Sequence, residues 1–192
     1  MVYPKGMAKM VPAGSKLVFQ LHYTPCGSPQ TDMSKLGLMF VDKDEEITQV
    51  VATTNTGTHD FLIPAGADNH RVEASKTLER DTLMLSYYSH MHLRGKSMRY
   101  DVTYPNGSTE TLIDVPQYDF NWQVYYILAE LKLLPKGTQM RVTAHYDNSE
   151  ANLANPNPTL DIDYGDQTFD EMMYGWYTVA FPVPPASQLS QR

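Results

Sequence analysis

The stretch Thr138-Gln139-Met140-Arg141-Val142-Thr143-Ala144-His145-Tyr146 alternates strictly, with Met140, Val142, Ala144 and Tyr146 apolar and a polar or charged residue between each pair. A period of two is what a β-strand needs to bury one face and wet the other. Working outward, Lys16 to Tyr23, Leu36 to Val41, Glu46 to Thr53, His70 to Leu78, Thr82 to His90 and Met172 to Phe181 also read as strands. Between them lie Pro64-Ala65-Gly66-Ala67-Asp68-Asn69, Pro105-Asn106-Gly107-Ser108 and Pro135-Lys136-Gly137, whose residues supply the backbone angles of tight turns. The run from Tyr125 to Leu134 is long enough for a helix, but it has no N-cap and no amphipathic period, so it is assigned as a strand. Many short strands and frequent turns predict an all-β chain, a jelly-roll-like antiparallel β-sandwich.

A chain of 192 residues suits one main domain with a real core. No apolar run approaches the roughly 18 residues of a membrane span. The first ten residues also lack the apolar stretch and cleavage site of a signal peptide. A net charge of −7 without a Lys/Arg cluster argues against nucleic acid, whose phosphates need a basic face. Cys26 is the sole cysteine, which excludes an internal disulfide and a thiolate zinc cluster. A bound metal would therefore rest on His, Met or carboxylate. The loop Asp147 to Pro158 is rich in Asn and Pro, and 182–192 reads as a Pro-rich tail.

His90-Met91-His92 lies at a strand end, and residues i and i+2 of a strand share a face, so both imidazoles can reach one ion. The competing reading is a half-buried polar couple. His59 and His70 flank the Pro64 turn and read as surface or strand-end residues. His145, before the Asn-rich loop, either hydrogen-bonds that loop or faces a metal pocket. The acidic run Asp161 to Asp166 is no calcium hand, because its glycine comes one position early and position twelve is Met172. Asp170 and Glu171 are adjacent and so point to opposite strand faces, which rules against a paired acid and base. Most of the eleven methionines read as core filler.

Three segments in order, Phe19-Gln20-Leu21-His22-Tyr23, His90-Met91-His92-Leu93-Arg94-Gly95-Lys96 and Asp170-Glu171-Met172, resemble the copper type II, ascorbate-dependent monooxygenases, the family of peptidylglycine α-hydroxylating and dopamine β-monooxygenases. The resemblance implies a catalytic core of two jelly-roll sandwiches with one copper each, of which residues 61–177 are most of the second. It makes His90 and His92 the imidazole ligands and Met172 the thioether ligand of the oxygen-activating copper, with Met173 a neighbour. His22 becomes the orphaned last ligand of the other, electron-donating copper. The donor set suits this assignment, since imidazole serves both copper oxidation states and a soft thioether favours Cu(I).

The sequence departs from the family in having no adjacent His-His pair for a second copper and no upstream sandwich. On this reading residues 1–24 carry over from that missing sandwich, 25–181 form the copper-binding β-sandwich, and 182–192 are the tail. Tyr118 to Gln123, Tyr146 to Ser149 and Gly165 to Gln167 look more like bacterial multidomain relatives, which carry a cytochrome c or thioredoxin-like region. The implied function is hydroxylation of a substrate C–H bond in the full-length parent, on a small molecule or peptide, with electrons from ascorbate or a protein donor. The implied setting is a larger exported protein, periplasmic or extracellular. Two alternatives stay open: a copper-binding or electron-transfer module without catalysis, and a sandwich scaffold whose histidines bind nothing.

Overall fold

The computed structural model describes residues 2–183, and every regular element among them is a strand. In chain order these are β1 (Met7–Lys9), β2 (Gln49–Gly57), β3 (Leu62–Ile63), β4 (His70–Thr77), β5 (Thr82–His90), β6 (Gly95–Thr103), β7 (Thr109–Val115), β8 (Tyr126–Leu134), β9 (Gln139–Tyr146), β10 (Ile162–Asp163) and β11 (Tyr174–Pro182). They form a five-stranded sheet in the order β1-β2-β11-β5-β8, a four-stranded sheet in the order β4-β9-β6-β7, and a small β10-β3 ribbon. All pairings in the two sheets are antiparallel except β1 with β2. No helix among the described residues is long and apolar enough to cross a membrane.

The period-two pattern of β9 does what it implies: Met140, Val142, Ala144 and Tyr146 are fully buried. They meet Met84, Tyr87, Tyr177 and Val179 of the other sheet in one core, so the molecule is a β-sandwich. Tyr87 and Tyr100 cross the interlayer edge to face, ring centroids 5.4 Å apart. At the β6–β7 hairpin Gly107 takes a φ of 84°, the left-handed angle that an Asn-Gly turn supplies cheaply.

Two expected strands are absent. Lys16 to Tyr23 and Leu36 to Val41 alternate in sequence but form no strand, and Val18, Met39 and Phe40 lie exposed. A strand is completed only by pairing its backbone groups along an edge, and these segments pair with neither sheet. Within 1–24, β1 joins the sandwich beside β2, residues 25–48 add no strand, and β11 runs through Pro182. The tail beyond Val183 lies outside the described residues.

One irregularity decides where the site forms. Along β11, Thr178 pairs with Ser86 and Val179 with Met84, so Leu85 is an extra residue in β5, a β-bulge. An extra residue reverses which side chains face the core. Met84 points inward before the bulge, Tyr87 and Met91 after it, while Leu85 packs with Val51 and Ala180 in a second cluster. His90 and His92 therefore stand on the face of the five-stranded sheet turned away from the main core.

Candidate metal centre

β5 ends at His90, and Met91 and His92 continue it into a turn closed by a hydrogen bond of 3.2 Å from the Gly95 amide to the His92 carbonyl. Met91 is fully buried, which sends its two histidine neighbours to the opposite face. Tyr174 of β11 pairs directly with His90. Met172 precedes β11 by two residues, and burial alternates through the half-buried Met172, the buried Met173 and the half-buried Tyr174, which sets Met172 on the Tyr174 side of the chain. Met173 is fully buried in the core.

Hydrogen bonds set the chemistry of the two rings. His90 Nδ1 lies 2.7 Å from Gln123 Oε1, and the Gln123 amide is oriented by its own Nε2, which donates to the Phe120 carbonyl at 2.8 Å. His92 Nδ1 lies 3.2 Å from the Asp170 carbonyl, which can only accept. Both Nδ1 atoms thus carry the proton, and both Nε2 atoms keep a free lone pair, the arrangement of metal-binding histidines. The ring centroids are 5.3 Å apart at an interplanar angle of 83°. With metal–nitrogen bonds of about 2.0–2.1 Å, an ion held by Nε2 sits roughly 3 Å from a ring centre, so the separation of the two rings is within the reach of one shared ion. Burial, before any other cause, holds both imidazoles below the ordinary histidine pKa. The Gln123 bond at His90 and the Asp170 carbonyl at His92 oppose it, and the His22 charge reinforces it at His90. Neutral rings are the form that coordinates.

A buried polar frame holds the turn and the Met172 strand together. The Glu171 carboxylate, 0% exposed, accepts the amides of His92 at 2.8 Å, Arg94 at 2.6 Å and Met172 at 3.2 Å. Burial pushes its pKa up to about 7, against the pull of those amides and of Arg94. The Arg94 guanidinium, 1% exposed, donates through Nε to Asn148 at 2.9 Å and through Nη1 to the Phe169 carbonyl at 2.8 Å. Asn148 is itself buried and donates to the carbonyls of Pro64 and Leu160, pinning the Asn-rich loop to the site. Tyr146 donates to the Met172 carbonyl at 2.8 Å. Among the described residues none of these groups has a fully buried side-chain atom without a hydrogen bond, which ties the turn, the Met172 segment and the Asn-rich loop into one network.

Among the described residues no group of three or more His, Cys, Asp or Glu side chains converges on one point, so a metal here would rest on two imidazoles and the Met172 thioether. The soft, mixed N/S set suits copper. His22 is exposed and belongs to no strand. His145 Nδ1 lies 3.2 Å from Ser97 Oγ on the neighbouring strand β6, and no hydrogen bond of its side chain to the Asn-rich loop is found among the described residues. His59 is a surface residue, yet its Nε2 lies 2.5 Å from the Tyr174 hydroxyl and its ring stacks on Tyr164. Sequence reading gave Gln123, Tyr118 and Asn148 no role at the site, because the bonds that bring them to it, Gln123 to His90, Tyr118 to Met91 and Asn148 to Arg94, span 33, 27 and 54 residues. For Glu171 the only signal was its place beside Met172.

The chain matches no protein family model and no curated protein. Solved structures similar to it include that of infectious bursal disease virus Gt strain, at a TM-score of 0.36 and 8% identity over 77% of this chain and 36% of that one. Another is the infectious bursal disease virus VP2 subviral particle, at a TM-score of 0.33 and 8% identity over 76% of this chain and 36% of that one. The chain thus spans little more than a third of the length of those proteins, and similarity this low says nothing about what it binds or does.

Proposed function

We propose that this chain is the copper-binding C-terminal sandwich of a copper-dependent monooxygenase-like protein, holding one copper on His90, His92 and Met172. The observation that carries the reading is the pair of neighbouring imidazoles, ring centroids 5.3 Å apart, with both Nδ1 atoms facing acceptors, beside the strand end where Met172 leads into Tyr174, the partner of His90. Bound copper would supply oxygen activation for hydroxylation of a C–H bond. The protein's own part is to hold the rings neutral and in one tautomer, to present a soft third donor, and to keep the ligands fixed through Glu171 and Arg94. On this reading an upstream copper sandwich of the same parent, with His22 as part of its site, delivers the second electron. Ascorbate or a cytochrome c or thioredoxin-like domain would be the source, and a small molecule or peptide the substrate.

Anaerobic Cu(I) titration against a chromophoric chelator tests it. One equivalent should bind, His90→Ala and His92→Ala should each weaken binding at least about tenfold, and Met172→Leu should weaken Cu(I) more than Cu(II). No stoichiometric uptake, or uptake unchanged in His90→Ala and Met172→Leu, would leave the sandwich a scaffold.

A further inference from the structure

The loop 116–125 between β7 and β8 belongs to neither sheet, yet it touches the whole His90-Met91-His92 tripeptide. The Tyr118 hydroxyl donates to the Met91 carbonyl at 2.5 Å and accepts from the Met91 amide at 3.1 Å, closing on that peptide as a neighbouring strand would. Gln123 Oε1 receives His90 Nδ1 and also the Tyr88 hydroxyl, at 3.1 Å. Phe120 meets the His92 ring edge to face, centroids 6.2 Å apart. Between positions 117 and 123 only these three side chains are partly buried. Gln117, Asp119, Asn121 and Trp122 are exposed, Trp122 at 72%. The loop thus buries the side chains that face the tripeptide and few others. The turn is shaped to admit it: a Cβ on Gly95 would stand 2.7 Å from the Tyr118 ring.

We infer that loop 116–125 is the positioning element of the metal centre, in which Tyr118 fixes the peptide between the two ligands and Gln123 selects the His90 tautomer that leaves Nε2 free to bind. The inference rests on the copper reading for its consequence, though not for its geometry. Neither residue touches the metal. Each acts on a ligand, Tyr118 by holding the spacing of His90 and His92 and Gln123 by accepting the Nδ1 proton. An acceptor at Nδ1 raises the electron-donating power of Nε2, and a stronger acceptor raises it further. The Gln123 amide therefore sets a moderate donor strength, compatible with a site that must stay accessible as Cu(I).

Three variants in the full chain test this. Tyr118→Phe keeps the ring and loses both hydrogen bonds, and Cu(I) affinity should fall about 10–100-fold. Gln123→Glu keeps the shape and strengthens the acceptor, so the preference for Cu(II) over Cu(I) should rise about tenfold, a midpoint potential lower by about 59 mV for one electron. Gln123→Leu removes the acceptor, and nitrogen NMR of the metal-free protein should show His90 losing its Nδ1–H tautomer while His92 keeps its own. Trp122→Ala, on the same loop and exposed, should change none of these readouts. An unchanged His90 tautomer in Gln123→Leu overturns the inference, as does Cu(I) affinity within twofold of the parent in Tyr118→Phe. If the parent chain takes up no Cu(I), the copper reading fails by itself, and the tautomer measurement still decides whether the loop positions His90.

Discussion

At the scale of single residues, Glu171 carries the most consequence. Its carboxylate accepts three amides, two from the turn that holds His92 and one from Met172, so one side chain couples the two halves of the site. Replacing it with glutamine turns one acceptor into a donor facing an amide N–H. A mispaired buried group of this kind costs about 1–3 kcal/mol, so Glu171→Gln should lower stability by that order and loosen Cu(I) binding with it. The pH dependence has a definite sign. Burial raises the folded pKa to about 7, above the unfolded carboxylate value, so the native state holds its proton more tightly. That linkage stabilises fully below the unfolded value and is lost as pH rises through 7. Glutamine has no such term. The parent should therefore lose stability relative to the variant between pH 5 and pH 7.5, read by denaturant melts of the metal-free protein at each pH. A deficit that stays constant or widens would mean that the three amides keep Glu171 ionised throughout. None of this was legible in the sequence. The Asp170-Glu171-Met172 setting marked the thioether, but the glutamate's partners are 77 and 79 residues away, and backbone amides leave no signature in side-chain identity.

At the scale of elements, β5 and the turn after it decide the face on which chemistry can occur. The span Thr82 to His90 was readable from residue types, and so was β9, because alternation survives wherever one face is buried. The bulge at Leu85 was not, since nothing in the sequence marks a single unpaired residue. Lys16 to Tyr23 shows the converse failure: the pattern is present, and no edge of either sheet pairs with it. The turn itself is tight. A Cβ on Gly95 would stand 2.7 Å from the Met91 Cβ and equally close to the Tyr118 ring, so Gly95→Ala must push Met91 and Tyr118 away from the turn. Overpacking of this kind costs about 1–3 kcal/mol. Here it should come with a clear loss of Cu(I) affinity, because the displaced atoms belong to the tripeptide. Gly37→Ala, with nothing within 4 Å and no positive φ, is the matched control and should stay within about 0.5 kcal/mol. Melting curves and copper competition on both variants check the pair. Equal copper affinity in Gly95→Ala and the parent would show that the turn tolerates the extra methyl without moving the ligands.

At the scale of the whole molecule, the core is built on tyrosine more than on phenylalanine, and this gives the sandwich an alkaline limit. Tyr87, Tyr100, Tyr146 and Tyr177 are almost wholly buried, at 0–1% exposure, and lie in the one cluster that joins the two sheets. Desolvation, ahead of every other cause, raises the pKa of all four above the ordinary tyrosine value. For a group whose folded pKa is raised, the linked stability is complete below the unfolded value, about 10 for tyrosine, and drains away as pH climbs beyond it. The unfolded chain gains phenolates there that the sandwich cannot accommodate without charge in its core. The thirteen tyrosines divide into these four and the rest, several of which lie on the surface. The buried four should ionise only as the sheets come apart, so the second rise of phenolate absorbance should coincide with the loss of the β-sheet circular dichroism signal. Replacing Tyr87 with phenylalanine removes one such group, and its hydroxyl has no hydrogen-bond partner to lose. That variant should move the alkaline transition to higher pH and leave neutral stability equal or better. Phenolate absorbance that reaches its full amplitude while the circular dichroism stays native would mean that the core admits charged tyrosine, contrary to the packing that holds the two sheets together.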